Sequence, residues 1–231
     1  MTLNKETLKI FKLLGKYDTP TVCNALELLD PNYRNQGYTK KEFFCLNKSL
    51  PPIIGFVRTA KIFSNIRKKA MNLNQKLKYY RYMADEKLPK ICIIEDTNIN
   101  PLGCFWGEVQ ANIHKNLGFK GIITNGAIRD INDIPNNFQM LSRSVLPSHS
   151  YLQLLNIGKT VKVNGEKFKH NDIVHADHHG VVRIDPQYLK QLPLAIKHIV
   201  KNEKPILDLC KSKKFTLKKL EKILTIKQDH H

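Results

Sequence analysis

Leu3, Leu8, Ile10, Phe11 and Leu14 recur at helical spacing and predict a first helix over residues 3–15. Asp18-Thr19-Pro20-Thr21 breaks that pattern and supplies the cap of a second helix running through Leu29. After a polar connection, PPIIGFVRTAKIFS carries the β-branched and aromatic content of a strand, and RKKAMNLNQKLKYYRYMADEKL reads as a helix. KICIIEDT is a short apolar strand entering a polar turn. A glycine-punctuated turn, Gly103 to Gly107, then leads into the helix EVQANIHKNLG, which ends at Gly118. KGIITNGAI follows as a buried strand and a further glycine turn, so this stretch reads strand, helix, strand.

Beyond Asp130, INDIPNNF is a short helix or turn stopped at Pro135, and QMLSRSV is a strand. KTVKVNGEKFKHNDIVHADHHGVVRID alternates apolar and polar residues around two turn signals, Asn164-Gly165 and His178-His179-Gly180, and reads as a β-meander. Pro186 to Val200 returns to helical spacing. Pro205 then precedes a lysine-rich amphipathic tail with an apolar stripe of Phe215, Leu217, Leu220, Ile223 and Leu224. The mixture predicts a layered α/β domain over residues 1–204 and a C-terminal extension over 205–231. A length of 231 residues suits one core with an appendage better than two full domains.

Composition adds one unusual quantity. Lysine and arginine total 38 against 20 acidic residues, a net charge of +18. Such a balance occurs in nucleic-acid binders, but here the charge is spread along the chain instead of gathering beside stacking aromatics. Only RKKAMNLNQKLKYYRYM approaches that pattern, and it reads equally well as a solvated helix, so specific nucleic-acid binding is not expected. No apolar run is long enough to span a membrane, and charges interrupt the N-terminal apolar positions, which predicts a cytoplasmic chain without a membrane partner. The cysteines Cys23, Cys45, Cys92, Cys104 and Cys210 are odd in number and never spaced C-x-x-C, which argues against a disulfide framework or a zinc ribbon.

The segment richest in chemistry is WGEVQANIHKNLGFKGIITNGAIRDIND. Gly107, Glu108, Val109 and Gln110 enter a helix, and their first-turn N–H groups are donors free to receive a carboxylate. Twenty residues separate Glu108 from Arg129-Asp130. If the helix runs antiparallel to the following strand, the chain makes one excursion and brings these groups to the same end of a sheet. Two carboxylates, a guanidinium and a ring of amides would then be able to bind a divalent cation through oxygen and a 2-oxo acid through its carboxylate. Structural roles compete: Asp130 with Asp133 fits a helix cap, Glu108 suits a helix dipole, and Arg129 has acidic neighbours to pair with. His170, His175, Asp177, His178 and His179 form a second cluster whose spacing does not force convergence, and Trp106 either walls the pocket or belongs to the core.

At these residues the sequence resembles the RraA-like family. Its enzymes are class II pyruvate aldolases such as 4-hydroxy-4-methyl-2-oxoglutarate aldolase, with oxaloacetate decarboxylase activity, and its founding member inhibits a ribonuclease. The family's acidic-X20-Arg-Asp motif is matched by Glu108, Arg129 and Asp130 within GFKGIITNGAIRDIND, and NDIVHADHHGVVRIDP is similar to its late glycine-containing hairpin. The resemblance spans roughly residues 18–200. It implies a β/β/α swivelling-domain fold and a metal-dependent carbon–carbon lyase with Glu108, Arg129 and Asp130 as catalytic residues. By the same resemblance Asp130 ligates Mg2+ or Mn2+, Glu108 reaches the metal through water, and Arg129 with the Gly107, Glu108, Val109 and Gln110 turn holds the substrate carboxylate. A homo-oligomer, trimer or hexamer, is also implied. The chain departs from the family pattern at Glu108, often Asp, and at Asn125, where many members have Asp. The alternative is a non-catalytic regulator binding a ribonuclease or RNA, for which the net charge is the only support.

Overall fold

The computed structural model describes residues 5–65 and 70–228, so Arg67, Lys68, Lys69 and the terminal Asp229-His230-His231 lie outside the described residues. In chain order the elements are α1 (Lys5–Leu14), α2 (Thr19–Leu29), a 3-10 turn (Pro31–Arg34), β1 (Phe44–Cys45), β2 (Ile53–Asn65) and α3 (Leu73–Ala84). There follow β3 (Lys90–Asp96), β4 (Cys104–Trp106), α4 (Glu108–Asn116), β5 (Phe119–Thr124), β6 (Ala127–Ile128), β7 (Gln139–Ser142), β8 (Ser144–Val145) and β9 (Tyr151–Ile157). The chain ends with β10 (Val161–Val163), β11 (Glu166–Phe168), β12 (Ile173–Asp177), β13 (Gly180–Ile184), a 3-10 turn (Pro186–Tyr188), α5 (Leu192–Lys211) and α6 (Leu217–Gln228).

Local chemistry sets these limits. Asp18 Oδ1 accepts the Thr21 N–H at 2.9 Å and caps α2, while Pro20 occupies the first turn, where no intrahelical N–H bond is lost. The third helix is shorter than the apolar pattern predicts, because Asn72 and Gln75 close a capping box that fixes its start at Leu73. The fifth is longer. It continues through Pro205, on an exposed stretch where water can satisfy the carbonyl of Lys201 that the proline leaves unbonded.

The main sheet has the order β1-β7-β5-β3-β2-β12-β13, with β7, β5, β3 and β2 parallel and the outer strands antiparallel. The long β2 serves two antiparallel partners on one edge: its first residues pair with β12 and its last with β9. Alternation along the central strands sorts their side chains into two cores. Ile91, Ile93, Ile123 and Val57 face Val161, Val163 and Phe168 of the β10–β11 hairpin, whereas Cys92, Ile94 and Ile122 face Tyr79 and Met83 of α3 and Ala111 of α4. A third core joins α1, α2 and α5 to the start of β2 and to β12 and β13. The result is a β/β/α layering with helices at both termini. Asn164 and Gly165 close the hairpin with φ of 46° and 92°, the left-handed pair that the Asn-Gly signal predicts.

The glycine turn before α4 contains a strand, β4, the run of β5 resumes beyond its expected glycine turn as β6, and QMLSRSV, which reads as one strand, breaks into β7 and β8. β6 and β8 leave the main sheet and pair in parallel with β4 as a small second sheet. Gly126 makes the turn from β5 to β6, its N–H folded onto Thr124 Oγ1 at 2.9 Å and its carbonyl accepting from Arg143.

Candidate active site

The excursion from β4 through α4 and β5 returns the chain to β6, which pairs in parallel with β4, Trp106 opposite Ile128. Gly107 and Arg129 therefore leave adjacent strands at the same end. The Arg129 N–H donates to the Trp106 carbonyl at 3.0 Å and locks this juxtaposition. Asp130 then turns with φ of 56°, a left-handed conformation that Asp tolerates better than most residues, and its carboxylate folds back onto the start of α4. Asp130 Oδ2 accepts the Glu108 N–H at 3.2 Å, and Oδ1 lies 3.6 Å from the Arg129 guanidinium.

Glycine at position 107 is dictated by space. A Cβ there would stand 2.4 Å from Asp130 Oδ2 and 3.1 Å from Arg129 Cγ. Gly107 is also the N-cap of α4 and makes no side-chain cap, so Asp130 from across the turn performs that service. Of the four amides expected to receive a carboxylate, the Glu108 N–H is thus engaged within the protein. Val109 and Gln110, in the first helical turn, have no intrahelical acceptor. The Glu108 side chain is exposed, while Arg129 and Asp130 are part-buried.

Gly107, Val109, Gln110 and Arg129 line a cleft of about 260 Å³. Its other walls include Lys76 and Met71 from the approach to and body of α3, and His149 and Ser150 from the loop before β9. Sequence reasoning missed these residues, because α3 and this loop lie far along the chain and neither carries a motif. One signal existed. Gly103 lies where a Cβ would meet Ser150 N at 2.5 Å, and the Cys104 N–H bonds the Ser148 carbonyl, which pins the loop onto β4. Trp106 belongs to the core and is 1% exposed, packed edge-on against His114 at 4.6 Å.

The histidine cluster divides. His175 is buried between Thr19 Oγ1 at 3.0 Å and the Leu14 carbonyl at 3.2 Å, and burial pushes its pKa down. His170 bonds Tyr82 instead, while Asp177 stays near His178 and His179. All five cysteines are free, with Cys45, Cys92 and Cys104 buried. Asn125 bridges backbones: its Oδ1 accepts the Asp96 N–H and its Nδ2 donates to the Asp96 carbonyl, both at 2.8 Å.

The chain belongs to the RraA-like family (Aldolase/RraA), which its sequence matches over residues 19–183. Its fold is similar to that of RraAS2 from Streptomyces coelicolor, described as an unusual member of the RNase ES inhibitor RraA family, with a TM-score of 0.68, 18% identity, and coverage of 87% of this chain and 98% of that chain. A protein from Pseudomonas syringae pv. tomato shares the fold at a TM-score of 0.69 and 16% identity, over 92% of this chain and 95% of that one. So does a structure described under novel cellulases from microbes of the gut ecosystem, at a TM-score of 0.73 and 18% identity over 89% of each chain. No curated protein matches the sequence significantly. Among the described residues, no helix is long and apolar enough to cross a membrane.

Proposed function

We propose that the chain is a divalent-metal-dependent lyase that cleaves a carbon–carbon bond of a small 2-oxo acid and releases pyruvate. Aldol cleavage of 4-hydroxy-4-methyl-2-oxoglutarate and decarboxylation of oxaloacetate are the reactions that the family resemblance suggests. The observation that supports this reading is a cleft lined by Arg129 and by Val109 and Gln110 of the first turn of α4, with Asp130 outside its lining but bonded to the Glu108 N–H and beside Arg129. A guanidinium beside first-turn N–H groups suits a carboxylate, bidentate on the arginine and supported by the helix dipole. Asp130 offers one carboxylate, with Oδ2 fixed by α4 and Oδ1 less committed. That donor set fits Mg2+ or Mn2+, hard ions that keep several waters and need few protein oxygens. When bound, such an ion supplies positive charge where the 2-keto oxygen gains negative charge as the bond breaks. Arg129 and the amides of Val109 and Gln110 hold and orient the substrate. Glu108 orients water and passes the proton that the methyl group of pyruvate needs.

Turnover of oxaloacetate and of 4-hydroxy-4-methyl-2-oxoglutarate with Mg2+ or Mn2+, lost in EDTA, is the supporting result, and equal turnover with and without the ion contradicts the reading. In this account the protein works in the cytoplasm as a ring-shaped trimer or hexamer, and sedimentation as a monomer at micromolar concentration contradicts that part. The second reading, a regulator of a ribonuclease, draws on the RraAS2 likeness. It predicts salt-resistant binding of a ribonuclease or a defined RNA together with no turnover of any 2-oxo acid.

A further inference from the structure

Asp177 lies level with the N-terminal ends of the parallel strands, since its neighbour Ala176 pairs with Ile53 at the start of β2. Arg129 and Asp130 lie beyond the C-terminal end of β5, so the two places are at opposite ends of the fold. There the chain reverses through His178 and His179, with Asp177 paired to Gly180 across the ladder. The two histidines are therefore the whole loop, and their backbone is fixed relative to the carboxylate. Asp177 is 3% exposed and its oxygens have separate duties. Oδ2 accepts the Thr19 N–H at 2.7 Å, which anchors it to α2, while Oδ1 accepts the His179 N–H at 2.8 Å and lies 3.1 Å from His179 Nδ1. The His178 and His179 rings stand 3.9 Å apart. One donor atom from each of Asp177, His178 and His179 lies within 4.8 Å of the other two.

One of these spacings already matches a coordination shell, and the others lie within 4.8 Å. Imidazole nitrogen and carboxylate oxygen bond zinc at about 2.0–2.1 Å, which puts two donors of one ion roughly 2.9–3.4 Å apart. The Nδ1 to Oδ1 pair already stands at 3.1 Å, and a nitrogen of the exposed His178 ring lies within 4.8 Å of both. The His179 N–H to Oδ1 bond alone would close this turn, so neither imidazole is required for the hairpin. We propose that Asp177, His178 and His179 form a second metal site, for a borderline transition ion of which Zn2+ is the representative. Two imidazoles and a carboxylate suit such an ion better than the oxygen-seeking Mg2+ of the lyase reading, on which this site does not depend. His179 then carries its proton on Nε2 and turns the Nδ1 lone pair onto the ion, and water completes the shell. Through Thr19 and Asp177 the ion ties the hairpin to the start of α2.

The test titrates Zn2+ calorimetrically into the full chain carrying His230→Ala and His231→Ala, with Mg2+ in excess, and repeats the titration with Co2+ while following visible absorption. The expected result is about one ion per chain with a cobalt band, weakened about tenfold or more by His178→Ala or by His179→Ala. Both side chains are exposed, so the variants keep the fold, and an unchanged circular dichroism spectrum verifies that. Absence of zinc uptake, or the same affinity and stoichiometry when both histidines are replaced, overturns the site.

Discussion

A methyl group at Gly107 would collide with Asp130 Oδ2, so Gly107→Ala displaces the carboxylate that both caps α4 and faces the proposed cation site. A displacement on the scale of 1 Å costs about 10²-fold in turnover. The kcat/KM for pyruvate release should fall by that order while the thermal midpoint moves by a few degrees, and activity within a few-fold of the parent would contradict the geometry. Arg129→Lys should be comparably severe, because one ammonium does not reproduce a bidentate guanidinium clamp. Asn125 makes the opposite point. The family resemblance marked it as a departure in charge, whereas its amide joins the ends of β3 and β5 through both backbone groups of Asp96. Asn125→Asp removes the donor facing the Asp96 carbonyl and should cost about 1–3 kcal/mol in denaturant unfolding, a loss of stability before any change of substrate.

α4 is the element on which site and core meet. Its outer turn faces the cleft, and its inner face buries His114, whose Nε2 meets Tyr79 Oη and whose Nδ1 meets the Gln110 carbonyl, both at 2.8 Å. Burial pushes the His114 pKa down to about 4. The unfolded chain titrates this group near 6.5 and so binds the extra proton first. Stability linked to His114 is present above about pH 6.5 and is lost as pH falls toward 4, and His175 acts in the same direction. Asp96 and Asp172, raised by burial, act in the opposite sense, so the wild type must be compared with His114→Asn. Denaturant midpoints should fall less between pH 7 and about 4.5 in the variant, and parallel profiles would contradict the assignment. The helix was legible because Gly107 and Gly118 bracket one apolar pattern. β9 was not, because its residues show no clean alternation and its partner β2 lies about 90 residues away.

At the scale of the whole molecule, the sequence carried the layering more completely than the cleft. Apolar runs such as KICIIED declare strands buried on both faces, and Asn164-Gly165 declares the hairpin that covers one of them. Lys76 and His149 reach the cleft only through tertiary packing, which no local spacing encodes. The charge of +18 is likewise a property of the whole surface. Its expected consequence is weak RNA binding, independent of sequence and falling steeply from about 50 to 200 mM salt, as counterion release requires. A filter-binding series that stays tight at physiological salt would favour the regulator. The most direct measurement of the central claim is pyruvate release from oxaloacetate by the wild type and by Asp130→Ala, each with Mn2+ and with EDTA. The lyase account predicts turnover only in the wild type with the ion present. Metal-independent turnover, or an Asp130→Ala protein as active as the parent, would contradict it.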